Sequence, residues 1–504
     1  MTDPALPTAS GPDTADTSSM SPRDRRAVAL LLVSAFVVIL NETIMGVALP
    51  RLMTDLAIPA STAQWVTAAF MLTMAVVIPV TGFVIQRLPT RTTFLVAMGL
   101  FSAGTLVSAL APGFPVLLVG RVVQASGTAI MMPLLMTTVM TVTSPSNRGR
   151  TMGMISVVIS VAPALGPTIS GLILSVLDWR WLFGLVLPIA VGALALGAAR
   201  LPNLTEPRTA RVDVLSVVLS AFAFGGLVYG LSGIGEAAEG GVHVTTWVSL
   251  AVGVVSLGLF VLRQLLLQRI DDALLDLRTF SSPVFSAAIV VMALSMMAMF
   301  GTLVLLPIYA QTVLGLETLG TGLLLLPGGL LMGLMAPTVG RLFDRFGPRP
   351  LLLPGSAVVS VAVWGMTLLR ADSPVWLLLG THVVLSGGLA LMFTPLFTSA
   401  LGSLPSRLYS HGSAVVGTVQ QVAGAAGTAV FVTVMTAQAT TLGAGGASPV
   451  AATAGGVHSA FVVGAIVSLL AIPASLAVRA RPGAEPVGHD TDSDRPAEPV
   501  GAHL

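Results

Sequence analysis

Residues 27–50 read AVALLLVSAFVVILNETIMGVALP. The run is long enough to cross a bilayer, which takes about 20 apolar residues. It is longer than a signal-peptide core and no small-residue cleavage site follows it, so it is expected to remain as a first membrane helix. Deep within it stand Asn41, Glu42 and Thr43. A carboxylate at that depth costs at least ~2–3 kcal/mol on insertion scales, so an acid there is either paired or used.

The rest of the chain repeats the pattern. Of 504 residues, 54% are hydrophobic and 9% charged, with a mean hydropathy of +0.92. Soluble domains carry about 25% charged residues, so the chain is expected to be an all-α membrane protein. Gly and Pro are abundant, as membrane helices tolerate. Cysteine is absent, which excludes disulfides, thiolate metal sites and a cysteine nucleophile. Six histidines, none in an H-x-x-x-H pair, offer no metal cluster. No G-x-x-x-x-G-K-[ST] loop cradles a phosphate, so ATP is not expected as the fuel. No Ser–His–Asp set can be assembled, and no enzyme, cofactor or metal centre is expected. Nucleic-acid binding has no support beyond arginine content.

Apolar stretches predict fourteen spans, and an even number puts both ends on one side. Lysine is absent, so all 24 basic residues are arginines. With the N-terminus inside, every arginine except Arg51, Arg121, Arg180 and Arg370 falls on the cytoplasmic side. That asymmetry sets the orientation by the positive-inside rule and supports the number of spans, because one missed span would scramble all later arginines.

An internal repeat organises the spans. VALPRL leads through a span to GFVIQRLPTR at 82–91, and VLLPIY leads through another to GRLFDRFGPR at 340–349. The expected organisation is a tail at 1–26, a six-helix half at 27–200, a two-helix insertion at 213–262, a second six-helix half at 284–478 and a tail at 480–504. Both tails are rich in Pro, Asp and small residues, the composition of disorder. Parallel six-helix halves are a plan of secondary transporters.

GRLFDRFGPR resembles the loop motif G-x-x-x-D-R-x-G-x-R of the major facilitator superfamily, and GFVIQRLPTR resembles a degenerate copy with Gln86 in place of the acid. LNETIMGVALP resembles the first-helix motif L-D-x-T-I-V-N-V-A-L-P, GRVVQASGTAIMMP the fourth-helix motif with its embedded arginine, and APALGPTISG followed by WRWLF the fifth-helix antiporter motif. With fourteen spans, the chain resembles the fourteen-helix drug:proton antiporter family of that superfamily over about residues 25–480. The resemblance implies the major facilitator fold, with helices arranged 6+2+6.

The resemblance also implies roles. Glu42 with Arg121 would form the proton-coupling pair, since the first and fourth helices line the central cavity. The family acid, however, stands where this chain has Asn41, and a step of one residue turns a side chain by about 100°. Gly166, Pro167, Ser170 and Gly171 would form the gate-sealing stripe, where small residues let helices approach and Pro kinks the helix. Arg87, Arg91, Arg341, Asp344, Arg345 and Arg349 would latch cytoplasmic helix ends, more weakly in the first half. Trp65, Gln124, Gln420 and Gln421 are candidates for the substrate cavity, with Phe70 and the methionines Met292, Met296, Met297 and Met299 as soft apolar lining. Asp213, at the start of the seventh span, fits a helix N-terminus better than a transport site.

The expected function is proton-coupled efflux of amphipathic small molecules, cations among them, by alternating access in a bacterial plasma membrane. Protons and membrane lipids are the other expected partners, and the protein is expected to act as a monomer. An exporter of one endogenous metabolite, lipid or self-made antibiotic is the alternative. A non-transporting receptor or scaffold is the least favoured reading, since it would call for a sizeable folded soluble domain and both tails are short with the composition of disorder.

Overall fold

The computed structural model describes residues 20–204, 213–236 and 244–479. Among these, fourteen helical segments are long and apolar enough to cross a membrane, and no strand occurs. The helices are α1 (Pro22–Asp55), α2 (Ala60–Arg87), α3 (Thr90–Ala109), α4 (Phe114–Val142), α5 (Arg148–Val176), α6 (Trp181–Gly184), α7 (Val186–Arg200), α8 (Val214–Glu236), α9 (Val244–Leu267), α10 (Pro283–Ile308), α11 (Thr318–Phe346), α12 (Arg349–Met366), α13 (Val375–Gly402), α14 (Tyr409–Ala444), α15 (Pro449–Leu469) and α16 (Ala471–Ala477). The pairs α6–α7 and α15–α16 each make one span.

Local chemistry sets many of these boundaries. Three helices open on Ser-Pro. Ser21 Oγ accepts from Asp24 N at 3.1 Å, Ser282 Oγ from Phe285 N at 3.3 Å, and Ser448 Oγ from Ala451 N at 3.3 Å. In each, Pro supplies the first helical residue, where its missing N–H costs nothing. The first of these caps corrects the expected tail, because α1 begins at Pro22 and takes in residues assigned to the tail at 1–26. Residues 1–19 and 480–504, with most of both expected tails, lie outside the described residues, as do Arg208, Arg211, Arg481 and Arg495. At the other end of a helix, Gly347 stops α11 with φ of 76°, a left-handed conformation that Gly adopts without strain.

The two halves meet through α5 against α11 and α2 against α14, with further contacts of α4 to α14 and α5 to α13. Every hydrogen bond described between the halves lies toward the arginine-rich end of the bundle. Thr137 Oγ1 donates to Ser413 Oγ at 3.1 Å, Thr394 Oγ1 to Ser156 Oγ at 2.7 Å, and Arg148 Nη2 to Tyr409 Oη at 3.0 Å. The approach is close because small residues line it. A Cβ on Gly82 would lie 3.1 Å from Ser410 O and 3.2 Å from Ala414 Cβ.

The insertion helices α8 and α9 pack on each other and lean on both halves, α8 touching α2 and α14. Two apolar hollows flank the pair, one of about 320 Å³ against α2 at Leu72 and Val76, and one of about 180 Å³ against α14 at Val415 and Val419. Neither is lined by Glu42 or Arg121.

Candidate functional site

The polar centre of the first half is built around Arg121, two turns into α4 and fully buried. Its Nη1 donates to Gln124 Oε1 at 2.6 Å and to Asn41 Oδ1 of α1 at 3.4 Å. Its Nε donates to the Val66 carbonyl of α2 at 3.4 Å. The guanidinium lies over the Phe70 ring, 4.0 Å from the centroid. Gln124 is also fully buried and passes the network on to α3, its Nε2 donating to Thr105 Oγ1 at 2.7 Å. One cation thus ties four helices together, which an embedded arginine requires to offset its desolvation.

Two donors in this cluster stay unsatisfied. Arg121 Nη2 and Asn41 Nδ2 are buried and have no hydrogen-bond partner. Buried N–H groups normally find acceptors.

Successive residues of α1 diverge as helical geometry demands. Asn41 turns to Arg121. Thr43 turns to α5, where its Oγ1 fills the space a Cβ on Gly166 would need. Glu42, between them, is partly buried. Among the described residues its carboxyl enters no hydrogen bond or ion pair, while it remains in electrostatic range of Arg121. The direct contact of the Glu42–Arg121 pair is therefore made by Asn41.

The remaining candidates separate by location. Helix α5 runs unbroken through Gly166–Ser170. Gly166 and Ser170 are buried, a Cβ on Gly171 would meet open space, and the side chain of Pro167 lies outside the described residues. Of the six expected latch residues, Asp344 alone joins the two halves among the described contacts. Its Oδ1 accepts from Gly149 N at 2.7 Å and its Oδ2 from Arg150 N at 2.8 Å, capping the N-terminus of α5. Arg341 bonds Thr338 in its own helix, and Arg345 lies over the neighbouring Phe346 ring. Arg349 donates to Leu476 O of α16 at 3.0 Å, and Arg91 to Ala198 O of α7, each within its own half. Arg87 is exposed. Gln86, in the position of the missing acid, donates to Arg407 O at 3.0 Å.

Trp65 stacks on Tyr229 of the insertion pair at 5.9 Å. Gln124 is committed at both ends of its amide. Gln420 and Gln421 are partly buried on α14, and none of their described side-chain atoms is hydrogen-bonded. Met292 and Met296 are core residues, and Met297 and Met299 are partly buried. Asp213 is clamped outside the bundle interior by Arg263, through bonds of 2.7 and 2.8 Å. Sequence reasoning missed Thr105 and the Val66 carbonyl, because neither a hydroxyl in an apolar helix nor a backbone atom stands out in a one-dimensional pattern.

The chain is similar to known proteins in both sequence and fold. The sequence model of the Major Facilitator Superfamily matches residues 31–428. The lincomycin resistance protein LmrB of Listeria monocytogenes is 40% identical over 457 residues, covering 90% of this chain and 96% of that protein. Its namesake in Bacillus subtilis is 40% identical over 407 residues, 81% and 84% of the two chains. Among solved structures, the human organic anion transporter MFSD10 superposes with a TM-score of 0.64 at 15% identity, covering 90% of this chain and all of that one. The proton:xylose symporter XylE gives a TM-score of 0.61 at 14% identity, covering 90% and 95%.

Proposed function

Since the chain belongs to the major facilitator superfamily, and is a multi-pass transporter rather than an enzyme, we propose that it exports amphipathic antibiotics, lincosamides among them, in exchange for protons. The observation that carries this reading is the 40% identity, over nearly the full length of both chains, to a protein named for lincomycin resistance. Proton exchange is supported by Glu42, a carboxyl within a membrane helix and in electrostatic range of a buried guanidinium.

The arginine-rich end is assigned to the cytoplasm by the positive-inside rule, in a bacterial plasma membrane with both termini inside. The conformer described is then sealed on the cytoplasmic side, by the Asp344 cap on α5 and the Gln86 bond to the segment before α14. Proton uptake by Glu42 removes a negative charge near Arg121 and changes what its free Nη2 and the Asn41 amide can bind. A substrate oxygen reaching those two donors, or Glu42 itself in another rotamer, would satisfy them. That exchange of acceptors links proton and substrate occupancy.

Everted membrane vesicles test the reading. Lincomycin added under an imposed proton gradient is expected to dissipate it, and Glu42→Gln to abolish that response. If neither lincomycin nor a panel of lipophilic cations disturbs the gradient in the wild type, proton-coupled drug export is wrong.

A further inference from the structure

The second half holds a titratable side chain in the place the first half gives to Arg121. Helix α4 reads GRVVQASGTAIM at 120–131 and α13 reads THVVLSGGLALM at 381–392, which aligns Arg121 with His382. The packing supports the alignment. A Cβ on Gly127 would strike Phe101 N of α3 at 2.6 Å, and one on Gly388 would strike Val359 N of α12 at 2.8 Å. One polar contact is similar. Arg121 donates to a carbonyl of α2, and His382 Nε2 lies 3.2 Å from the Leu325 carbonyl of α11. With Gly82 and Gly340 aligned, the counterpart of Val66 is Leu324, next to Leu325.

With Pro50 aligned to Pro307 for the first helices, Gly82 to Gly340 for the second and third, and Arg121 to His382 for the fourth, the second half lacks the rest of the network. The counterparts of Asn41, Thr105 and Gln124 are Ala298, Val363 and Leu385, all buried and apolar. The counterpart of Phe70 is Gly328, and the imidazole lies in the space that a Cβ there would enter. Among the described contacts the ring makes one hydrogen bond, to the Leu325 carbonyl, while the Ser386 hydroxyl one turn on lies beside the same Gly328 position. A carbonyl can only accept, so Nε2 carries the proton and Nδ1 presents its lone pair in the neutral tautomer. Nδ1 is buried and unpartnered.

We propose that His382 is a proton-exchanging site of the second half, taking up and releasing a proton at Nδ1 during transport, with Nε2 held throughout by Leu325. The proton adds to the Nδ1 lone pair and leaves a buried imidazolium with no ion-pair partner among the described residues. That form is costly where the site is closed and is favoured in a conformer that admits water. The proposal rests on the reading of the chain as a proton-coupled exporter.

Among the described residues, no other charge competes at this depth from the helices packed on α13. Helix α11 carries Arg341, Asp344 and Arg345 only at its far end, with Glu317 before its first turn. Helix α12 carries Arg349 in its first turn, and α5 carries Arg148 and Arg150, all at the arginine-rich end. Helix α14 carries Tyr409 and His411 at that end, and Tyr309 follows α10 at the other. Arg370 and Asp372 lie in the loop before α13.

Two measurements on the full chain test this. In lipid nanodiscs with isotope-labelled histidine, the imidazole signal that His382→Gln removes is expected to shift with pH. Gln keeps a donor for Leu325 O and cannot change charge, so the fold is retained. In everted vesicles given external lincomycin, His382→Gln is expected to flatten the pH dependence of lincomycin uptake over the range in which that signal shifts, and His382→Arg, charged at every pH, to stop uptake. A signal that does not shift with pH overturns the proposal, and so does a His382→Gln flux profile superimposable on the wild type. If the wild type moves no lincomycin, the export reading fails by itself, and the titration still decides whether His382 exchanges a proton.

Discussion

Arg121 donates to Asn41 at 3.4 Å, and the carboxyl of Glu42, one residue further along α1, forms no bond to it. The contact and the charge thus sit on adjacent residues that point in different directions. If Glu42 carries the proton, moving the charge back should rescue its loss. Glu42→Gln is expected to lower proton-coupled flux at least about tenfold, and Asn41→Asp in that background to restore most of it, because the new carboxylate faces the guanidinium. Flux under an imposed gradient, measured for the single and double variants, checks this.

Arg121 should not tolerate a conservative exchange. Lysine keeps the charge but cannot reach Gln124, Asn41 and the Val66 carbonyl together or lie flat on Phe70. Each buried acceptor left unpaired costs about 1–3 kcal/mol. Arg121→Lys is expected to lower the Tm of the detergent-solubilised protein as well as abolish flux. A variant with the wild-type Tm would show that the network is not structural.

The Asp344 cap is expected to bias the balance between conformers. Its carboxylate accepts two backbone N–H groups at the positive end of α5. Asp344→Asn is expected to weaken the seal by about 1–2 kcal/mol, a factor of roughly 5–30 between the two states. The natural chain has no cysteine, so a single cysteine placed on the cytoplasmic side of α5 reports the change without background. Its labelling rate by a membrane-impermeant maleimide should rise accordingly.

Asp213 should contribute to stability and not to coupling. Hydrogen bonds from Arg263, with further bonds from Ser216, hold its carboxyl at about 2, below the ordinary carboxylate value. A depressed folded value gives stability that is complete above the unfolded value of about 3.9 and lost as pH falls toward 2. Between about pH 5 and 8 it contributes no pH dependence. Asp213→Asn is expected to lower the Tm and leave the pH profile of export unchanged in shape.

The small-residue stripe of α5 should divide into one sensitive and one tolerant glycine. Gly166→Ala forces α5 away from Thr43 of α1, beside Glu42, and is expected to reduce both flux and Tm. Gly171→Ala meets open space and should behave as wild type. Equal effects of the two would remove close packing on α1 as the role of this stretch.

Much of this was legible in one dimension because the membrane makes residues answer to depth. Hydropathy marked fourteen spans, since a backbone in lipid must satisfy its own hydrogen bonds. The rarity of interior charge singled out Glu42 and Arg121. Less legible was the start of α1, where Pro22 and the Ser21 cap extend a helix into a polar stretch that reads as tail. His382 was legible only once the packing of α4 on α3 and of α13 on α12 established the register, because five identities in twelve apolar positions carry little weight alone.

By itself, the sequence determined the number of spans, the arginine asymmetry, the repeat and the identity of the interior charges, all properties of composition against depth. Tertiary structure alone decided which of Asn41 and Glu42 meets Arg121 and which latch residue crosses between halves. It also decided that Gln124 is spent within the network. The reason is geometric. A helix turns by about 100° per residue, so adjacent positions with the same depth and chemistry face different neighbours, and only the packed helices say which neighbour each one has.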